Sequence, residues 1–405
     1  MSLCQRARVG EGKLMEFEKP EELKMIQSAV HDFVSEQLKP LERAVLGRAA
    51  DISDAQMYLQ ADEETALAAM AKEMGLWGIG LPEELGGAGL GTLGACLIEE
   101  ELAQTVVPFS FGDVPPVLFD CTEQQREDYL KPALERQKYP LFALLEPDGK
   151  SNADNLRTTA DKKDGYYELT GEKLTFSRFE DQYFSIVFAV TDVSVPMREG
   201  VSCFLVDQDT QGFSMRGNTE RTGWEARVRK PILLRFDHCR IGTENLLGSE
   251  GRAFQLANQY LPARRIVRAA RAVGAALRIL DECTVQAQTW MSFGQSISGR
   301  PSVQASLGDI AAHIHAARLV VYEAAWKADQ GQLVKREAAM AKLVATQMLH
   351  FVADNAAHIF NAPAYVAGLP MERFCRNAAA GSLTDQSLQL QRNIIAKDVL
   401  RGLRL

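Results

Sequence analysis

The spacing of apolar residues changes twice along the chain, and these two changes constrain the fold more than any other feature. Between Pro20 and about Leu46, apolar residues recur every three or four positions, as in an amphipathic helix. Near Pro140 the pattern changes to short segments rich in β-branched and aromatic residues, separated by Gly, Asp and Asn. From Ala253 onward alanine rises and helical spacing returns. The order helices, strands, helices predicts an α+β protein of several domains.

These changes also set the predicted domain boundaries. Residues 1–14, "MSLCQRARVGEGKL", differ in pattern from the helical segment after them, and Met15 would suit an original start, so we expect a leader or an added extension there. We predict a helical domain over 15–139, a β domain over 140–252 and a helical bundle over 253–405. A chain of 405 residues with 46% hydrophobic residues is long enough for two or three domains with sizeable cores.

Charge and cysteine content exclude several classes of protein. Lys and Arg number 45 against 53 Asp and Glu, a net charge of −8 without long blocks of like charge, so we expect neither a nucleic-acid nor a membrane partner. No apolar run approaches the roughly 18 residues needed to span a bilayer. The seven cysteines are scattered without a CxxC pair, which favours the reducing cytoplasm over a disulfide framework or a zinc knuckle.

Known chemical motifs are absent from the sequence. His313 and His315 are two residues apart on a predicted helix and so lie on different faces, which argues against a metal pair. HExxH, GxSxG, the Walker lysine motif and a GxGxxG between strand and helix are missing. We therefore predict no metal site, and motif chemistry alone leads no further.

Six stretches, in the right order over nearly all of 15–405, resemble the acyl-CoA dehydrogenase family. They read GLWGIGLPEELGGAGLG, ALLEPDGKSNADNLRTTA, LTGEKLTFS, FDHCRIGTENLLGSEGRAF, LGDIAAHIHAARLVVYEAAW and PMERFCRNAAAGSLTDQSLQLQRNIIAKDVL. Members of this family have an N-terminal helical domain, a middle β-barrel-like domain and a C-terminal four-helix bundle. The resemblance implies the same architecture here.

The resemblance also implies a function. It points to a flavoprotein of fatty acid or lipid catabolism that holds FAD at the junction of the β domain and the bundle and dehydrogenates an acyl-CoA thioester. In this chemistry a carboxylate removes the α-proton while the β-hydrogen leaves as hydride to flavin N5. The resemblance further implies a homodimer or homotetramer, in which FAD reaches a neighbouring subunit, and electron-transferring flavoprotein as electron acceptor. The acyl chain stays open, since one sequence does not fix the register of the helices around its pocket.

Asp385 takes the place of the family's catalytic base. The base commonly lies in a YEGTSxxQR-type motif, and counting back from Gln391 and Arg392 leads to Asp385. Asp shortens the reach of the carboxylate by one methylene, about 1.5 Å, and a misplacement on the order of 1 Å can cost about a hundredfold in rate. The nitroalkane oxidase branch of the family nevertheless uses Asp here. Alternatively, Asp385 caps the helix predicted from Gln386 to Leu403, and the two roles are compatible.

The resemblance assigns flavin contacts in the β domain. Leu145 replaces a Thr that bonds to the flavin ring, and Ser151 remains as a ligand of the pyrophosphate. Ser177, preceded by Phe176, occupies the place of the Thr or Ser that meets flavin N5. A strand-end hydroxyl bonding to its own backbone would explain Ser177 as well. Thr175 falls where many relatives have a Trp.

The half-site offered to a neighbouring subunit departs further from the family. Ahead of Phe293, Trp290 stands where an Arg usually grips the pyrophosphate, and the loss of that cation removes hydrogen bonds worth about 1.5 to 3 kcal/mol each. On the adenine side, "HIFNAPAY" replaces a Gln followed by a Gly-Gly turn and supplies His358, Asn361 and Ala362.

Two assignments complete the expected site. Ser387, in the C-terminal motif, is assigned to the cofactor. Arg265 is assigned to the substrate, although Pro262 replaces the Asp that usually precedes it. Three functions remain open at this point: a working acyl-CoA dehydrogenase, a degenerate subunit of a heterotetramer with incomplete FAD sites, and a flavin oxidase of the nitroalkane type.

Overall fold

The computed structural model describes residues 18–50, 59–147, 155–177, 182–217, 230–366, 368–381 and 387–402. The helices are α1 (Glu21–Phe33), α2 (Glu42–Ala50), α3 (Ala61–Glu73), α4 (Gly91–Leu102), α5 (Glu123–Gln125), α6 (Lys131–Leu134), α7 (Ala253–Thr289), α8 (Pro301–Asp329), α9 (Lys335–Phe360), α10 (Pro370–Ala380) and α11 (Leu388–Leu400). The strands are β1 (Tyr139–Ala143), β2 (Thr159–Lys163), β3 (Tyr166–Ser177), β4 (Tyr183–Val190), β5 (Val201–Asp207), β6 (Phe213–Gly217), β7 (Lys230–Gly242), β8 (Leu246–Leu247), β9 (Met291–Ser292) and β10 (Gln295–Ser296). The predicted order of helices, strands and helices is confirmed.

The first predicted helix is interrupted in the middle. Between α1 and α2 the backbone passes through a π turn at Val34–Leu38 and a 3-10 turn at Lys39–Leu41. Pro40 explains this change, because proline has no N–H to donate and its ring clashes with the preceding helical turn. A local change of helical hydrogen bonding accommodates both effects.

The middle domain is one sheet of eight strands, in the order β6-β7-β3-β2-β4-β5-β8, with β1 parallel beside β4. Successive residues of β4 point to opposite sides. Phe184, Ile186 and Phe188 pack in a cluster shared with α7 and the first domain, whereas Val187 and Ala189 pack within the sheet domain. The sheet is open, with β6 and β8 as its ends among the described strands, so the barrel-like shape expected from the family stops short of closure.

The C-terminal domain is a helical bundle in which α9 packs against α7, α8 and α11. Helix α4 of the first domain packs on α7 and α8. At this contact a Cβ built on Gly274 of α7 would lie only 1.9 Å from the carbonyl oxygen of Glu100 in α4. The two backbones therefore meet where a side chain is missing. Within the described ranges, no helix is both long and apolar enough to cross a membrane.

One buried cluster joins all three domains. It includes Leu118 and Tyr129 of the first domain, Leu205 of the sheet and Leu256 near the start of α7. Tyr129 also donates a hydrogen bond of 2.7 Å to Asp207 at the end of β5. This junction fixes the sheet against the bundle, which is where the resemblance places the cofactor.

Candidate functional site

The segment that carries the predicted base lies largely outside the described residues, which leave out 382–386 and with them Asp385. The chain is described again from Ser387, which is the N-cap of α11 and accepts a 3.4 Å hydrogen bond from the backbone N of Leu390. The helix therefore begins at Leu388 rather than at Gln386. The alternative role of Asp385 as a helix cap was wrong, because Ser387 holds that position. Its role as a base stays a prediction.

The structure brings Leu145 beside the C-terminal half of β3. The carbonyl oxygen of half-buried Leu145 accepts a 2.8 Å hydrogen bond from the backbone N of Leu174. Thr175 is buried and its hydroxyl donates to the carbonyl oxygen of Phe142 at 3.0 Å. The two residues that follow it on β3 pair with β7 through the backbone, Phe176 with Pro231 and Ser177 with Lys230. Ser151 lies outside the described part of the chain.

A buried ion pair, which sequence reasoning missed, lies in the same place. Lys173 of β3 is fully buried and its Nζ lies 2.9 Å from Oε1 of Glu146 and 3.3 Å from the carbonyl oxygen of Leu144. Period-two spacing contained a signal, because Tyr167 and Leu169 are buried on β3 and Lys173 shares their face. A lysine at a buried strand position indicates a fixed partner.

Phe293 and Trp290 lie on an exposed hairpin after α7. Strands β9 and β10 pair through Met291–Ser296 and Ser292–Gln295, and Phe293 lies in the turn between them at a φ of +54°. Its side chain is 100% exposed and that of Trp290 is 50% exposed. A positive φ is rare for a bulky residue. None of the described residues covers the side chain of this Phe.

The remaining predicted contacts of the neighbouring half-site lie at the C-terminal end of α9. His358 is largely exposed, with Nε2 4.0 Å from Oδ2 of Asp354. Asn361 ends the helix at φ +55° and ψ −131°, and Ala362 begins a 3-10 turn that reaches Tyr365. Where the family has a Gly-Gly turn, this chain therefore has an Asn with a positive φ. Asn tolerates positive φ better than most residue types.

Arg265 is buried on α7, with 8% of its surface exposed. Pro262, one turn earlier, lies inside the same helix rather than at its end. Proline removes one helical hydrogen bond at this point. Helix α7 nevertheless continues through both residues, so Arg265 is held by the packed part of the helix.

A charged cluster that the sequence did not reveal lies between α4 and α7. Nη1 of Arg271 bonds to Oε2 of Glu99 at 2.9 Å. Although the Asp113 side chain reaches solvent, partial desolvation by the surrounding protein and the Glu99 carboxylate together raise the pKa of its carboxyl to about 6, against the opposing effect of Arg268, Arg271 and Arg136. Asp113, in the segment after α4, and the α7 arginines are far apart in the sequence, and the packing of the first domain on α7 brings them together.

The chemistry of the described residues fits the ring systems of FAD better than its diphosphate. Phe293 and Trp290 present uncovered aromatic faces, on which planar rings stack, and Leu145 offers an apolar side chain beside β3. At the position of the expected pyrophosphate-binding Arg, however, stands the uncharged Trp290. Among the described residues, no cluster of His, Cys, Asp and Glu could hold a metal ion.

Known proteins are similar to this chain along nearly its whole length. The chain matches the acyl-CoA dehydrogenase N-terminal domain over 20–137, the middle domain over 142–233 and the C-terminal domain over 251–400. It is 31% identical to the mitochondrial short-chain specific acyl-CoA dehydrogenase of Mus musculus, over 96% of this chain and 92% of the relative. It is 30% identical to (R)-benzylsuccinyl-CoA dehydrogenase of Thauera aromatica, over 95% and 97%. The structure of butyryl-CoA dehydrogenase from Megasphaera elsdenii superposes with a TM-score of 0.82 at 28% identity, over 96% of this chain and 100% of the other.

Proposed function

This chain belongs to the acyl-CoA dehydrogenase family of flavin oxidoreductases, and on that premise we propose that it catalyses the FAD-dependent α,β-dehydrogenation of an acyl-CoA thioester. The observation that carries the proposal is the continuity of the match, which runs through all three domains. The Mus musculus and Thauera aromatica relatives are both, by name, dehydrogenases that act on a CoA compound. We also propose the domain boundaries 15–139, 140–252 and 253–405.

Each predicted residue has a role in this proposal. Bound FAD would supply the hydride acceptor. Asp385 takes the α-proton of the thioester as general base, and Arg265 contacts the substrate. The residues proposed to bind the cofactor are Leu145, Ser151, Phe176, Ser177, Phe293, His358, Asn361, Ala362 and Ser387.

We further propose a homodimer or homotetramer. The exposed aromatic side chains of Phe293 and Trp290 support it, because large apolar groups on a projecting hairpin are typical of surfaces that another chain covers. Electron-transferring flavoprotein is the proposed electron acceptor, from family membership alone. We keep the cytoplasm as the predicted location, although the Mus musculus relative is mitochondrial by name.

The base assignment is tested by replacing Asp385 with Asn. Asn preserves shape but cannot accept the proton, so anaerobic bleaching of the flavin by butyryl-CoA is expected to slow by about 10² to 10⁴-fold, the usual contribution of a general base. Rapid mixing with detection of the oxidised flavin band measures this rate. An Asp385→Asn protein that bleaches at the wild-type rate would remove Asp385 from the mechanism.

A second candidate function is that of a subunit in a heteromeric acyl-CoA dehydrogenase. Trp290, in place of a pyrophosphate-binding Arg, favours it, because the site offered to a neighbour then lacks a cation. Purified alone, such a subunit would be colourless and would gain flavin only with a second acyl-CoA dehydrogenase-like chain. Retention of FAD by the isolated chain would exclude this candidate. Oxygen consumption with nitroalkanes, and no bleaching by acyl-CoA, would instead favour a flavin oxidase.

A further inference from the structure

We infer that the buried ion pair between Glu146 and Lys173 is a positioning device, which sets the predicted flavin-facing segments in place before any cofactor binds. The two segments are the stretch after β1 that contains Leu145 and the end of β3 that contains Phe176 and Ser177. This inference rests on the proposed function, because it assigns the two segments to the flavin.

The carboxylate of Glu146 ties together three parts of the chain. Its Oε1 accepts from Nζ of Lys173 at 2.9 Å, from the backbone N of Thr158 at 3.0 Å and from the Thr158 hydroxyl at 2.9 Å. The backbone N of Arg157 lies 2.9 Å from Oε2 and 3.1 Å from Oε1. One side chain thus joins the stretch after β1, the residues that precede β2, and β3. Few neutral side chains accept so many hydrogen bonds.

Because both charged groups are buried, the ion pair tolerates little displacement of either side chain. Glu146 is 6% exposed and Lys173 is fully buried, so either charge alone would lack compensation from water. Burial raises the pKa of Glu146, but the hydrogen bonds from Lys173 and from the Thr158 and Arg157 backbone outweigh it and hold that pKa below its usual value. Burial lowers the pKa of Lys173, and Glu146 opposes this. A displaced partner would leave a buried charge unpaired, which favours one fixed geometry.

The ion pair is directly connected to the predicted flavin contacts. Lys173 also donates to the Leu144 carbonyl at 3.3 Å. The next residue of β3, Leu174, donates its backbone N–H to the Leu145 carbonyl at 2.8 Å, and Thr175 donates to Phe142 at 3.0 Å. Three consecutive residues of β3 therefore hold β1 and the stretch after it: Thr175 bonds to β1 itself, and Lys173 and Leu174 bond to the two residues that follow. A shift of the pair moves both segments, and errors on the order of 1 Å are large at a reacting centre.

Gly171 allows the segment that precedes β2 to lie close to β3. Gly171 has a φ of +143°, and a Cβ built on it would lie 2.7 Å from both Cα and Oγ1 of Thr158. The register of β3 against β7 shifts between Leu169 and Gly171. Gly171 therefore allows Thr158 to approach the strand and bond to Glu146, which a larger residue would prevent.

FAD binding by two variants and a matched control tests the inference. Glu146→Gln removes the charge at nearly constant shape, whereas Glu42→Gln breaks a comparably buried pair, Glu42 with Arg278 at 3.1 Å between α2 and α7. We expect Glu146→Gln to raise the Kd for FAD about tenfold or more, the effect of one badly satisfied buried group. The control should change the Kd less than about threefold at a similar loss of Tm. Glu146→Asp, which keeps the charge with a shorter reach, should lie between wild type and Glu146→Gln.

A second readout needs no cofactor. In flavin-free protein, Glu146→Gln is expected to lower the hydrogen-exchange protection of the Leu174 amide, which bonds to Leu145, by about tenfold. Protection of the β4 and β5 amides should be unchanged. If Glu146→Gln does not fold, Glu146→Asp gives the same comparison with a smaller expected effect.

The outcomes separate this inference from the proposed function. Glu146→Gln and Glu42→Gln could change the FAD Kd equally at equal loss of Tm. The Glu146–Lys173 pair would then contribute only to overall stability, and the inference would be overturned. Unchanged protection of Leu174, or Glu146→Asp matching wild type in both readouts, would also overturn it. Wild-type protein that binds no FAD would contradict the proposed function instead, and the exchange experiment would still report on the pair.

Discussion

Asp113 shows how one side chain responds to the packing of two domains. Its carboxyl lies in the charged cluster between α4 and α7, where partial desolvation by neighbouring atoms and the Glu99 carboxylate outweigh three arginines and raise its pKa from 3.8 to about 6. The folded protein therefore binds this proton more tightly than the unfolded chain does. Between about pH 4 and pH 6 the free energy of unfolding should fall as pH rises, and the deficit should persist above pH 6.

Asp113→Asn should remove this dependence. Two pK units correspond to about 3 kcal/mol at most, and since the side chain is also accessible to solvent, a gain of about 1 kcal/mol at pH 7 is expected, with little change at pH 4. Urea unfolding at both pH values measures the difference. Asp164→Asn, in an exposed turn, is the control and should change little. A destabilised Asp113→Asn at pH 7 would show that the carboxylate is net favourable there.

At the residue scale, the sequence predicted the strands and the last helix, but not which side chains contact one another. The sequence predicted strands in the part of the chain that contains β3, but it could not reveal that Lys173 meets Glu146, since that contact depends on the path of the chain after β1. A cap of α11 was the alternative role considered for Asp385, because an acid preceded an amphipathic run. Ser387, two residues later, has the side chain that reaches the free backbone N–H of Leu390.

At the scale of elements, spacing alone predicted the helices and strands, whereas their close approaches were not predictable. Gly274 looks like any helical glycine in the sequence, yet it meets the Glu100 carbonyl of α4, where an added Cβ would lie 1.9 Å away. Similarly, the turn at Pro40 divides what spacing predicted as one helix. The close approach at Gly274 depends on a backbone partner that no local pattern identifies, whereas the turn follows from a proline whose effect the spacing of apolar residues does not show.

Gly274→Ala is therefore expected to destabilise the protein by about 1 to 3 kcal/mol, because the added methyl must push α4 and α7 apart. Gly308→Ala in α8, where a Cβ meets nothing within 4 Å, is the matched control. It should stabilise by about 0.5 to 1 kcal/mol through helix propensity alone. Thermal and urea unfolding measure both. Equal effects of the two substitutions would contradict the close approach of α4 and α7.

At the scale of the whole molecule, the order of the three domains could be predicted from the sequence, but their common junction could not. The cluster that joins Leu118, Leu205 and Leu256 brings together residues from three domains, and hydrophobic patterns do not state which buried faces meet. Under the proposed function, FAD would bind at this junction. Occupancy of the site should therefore stabilise all three domains together.

FAD added to flavin-free protein should raise its Tm in proportion to occupancy. At about 100 times the Kd, the expected gain in free energy of unfolding is about 2.7 kcal/mol. AMP, which lacks the flavin ring, should give a smaller shift at equal concentration. A Tm that does not respond to FAD would place the cofactor site outside the isolated chain, as in the heteromeric alternative.

Under the proposed function, this chain carries out one reaction, the removal of two hydrogens from an acyl-CoA thioester. Its most direct test is mass spectrometry of butyryl-CoA mixed without oxygen with the purified, FAD-loaded protein. Loss of two hydrogens from the thioester, to the extent of about one product per flavin, together with bleaching of the flavin, is the result expected for a reaction in which FAD accepts the hydride. An unchanged thioester, with every acyl-CoA of short, branched or aromatic chain and with flavin fully bound, would contradict the account.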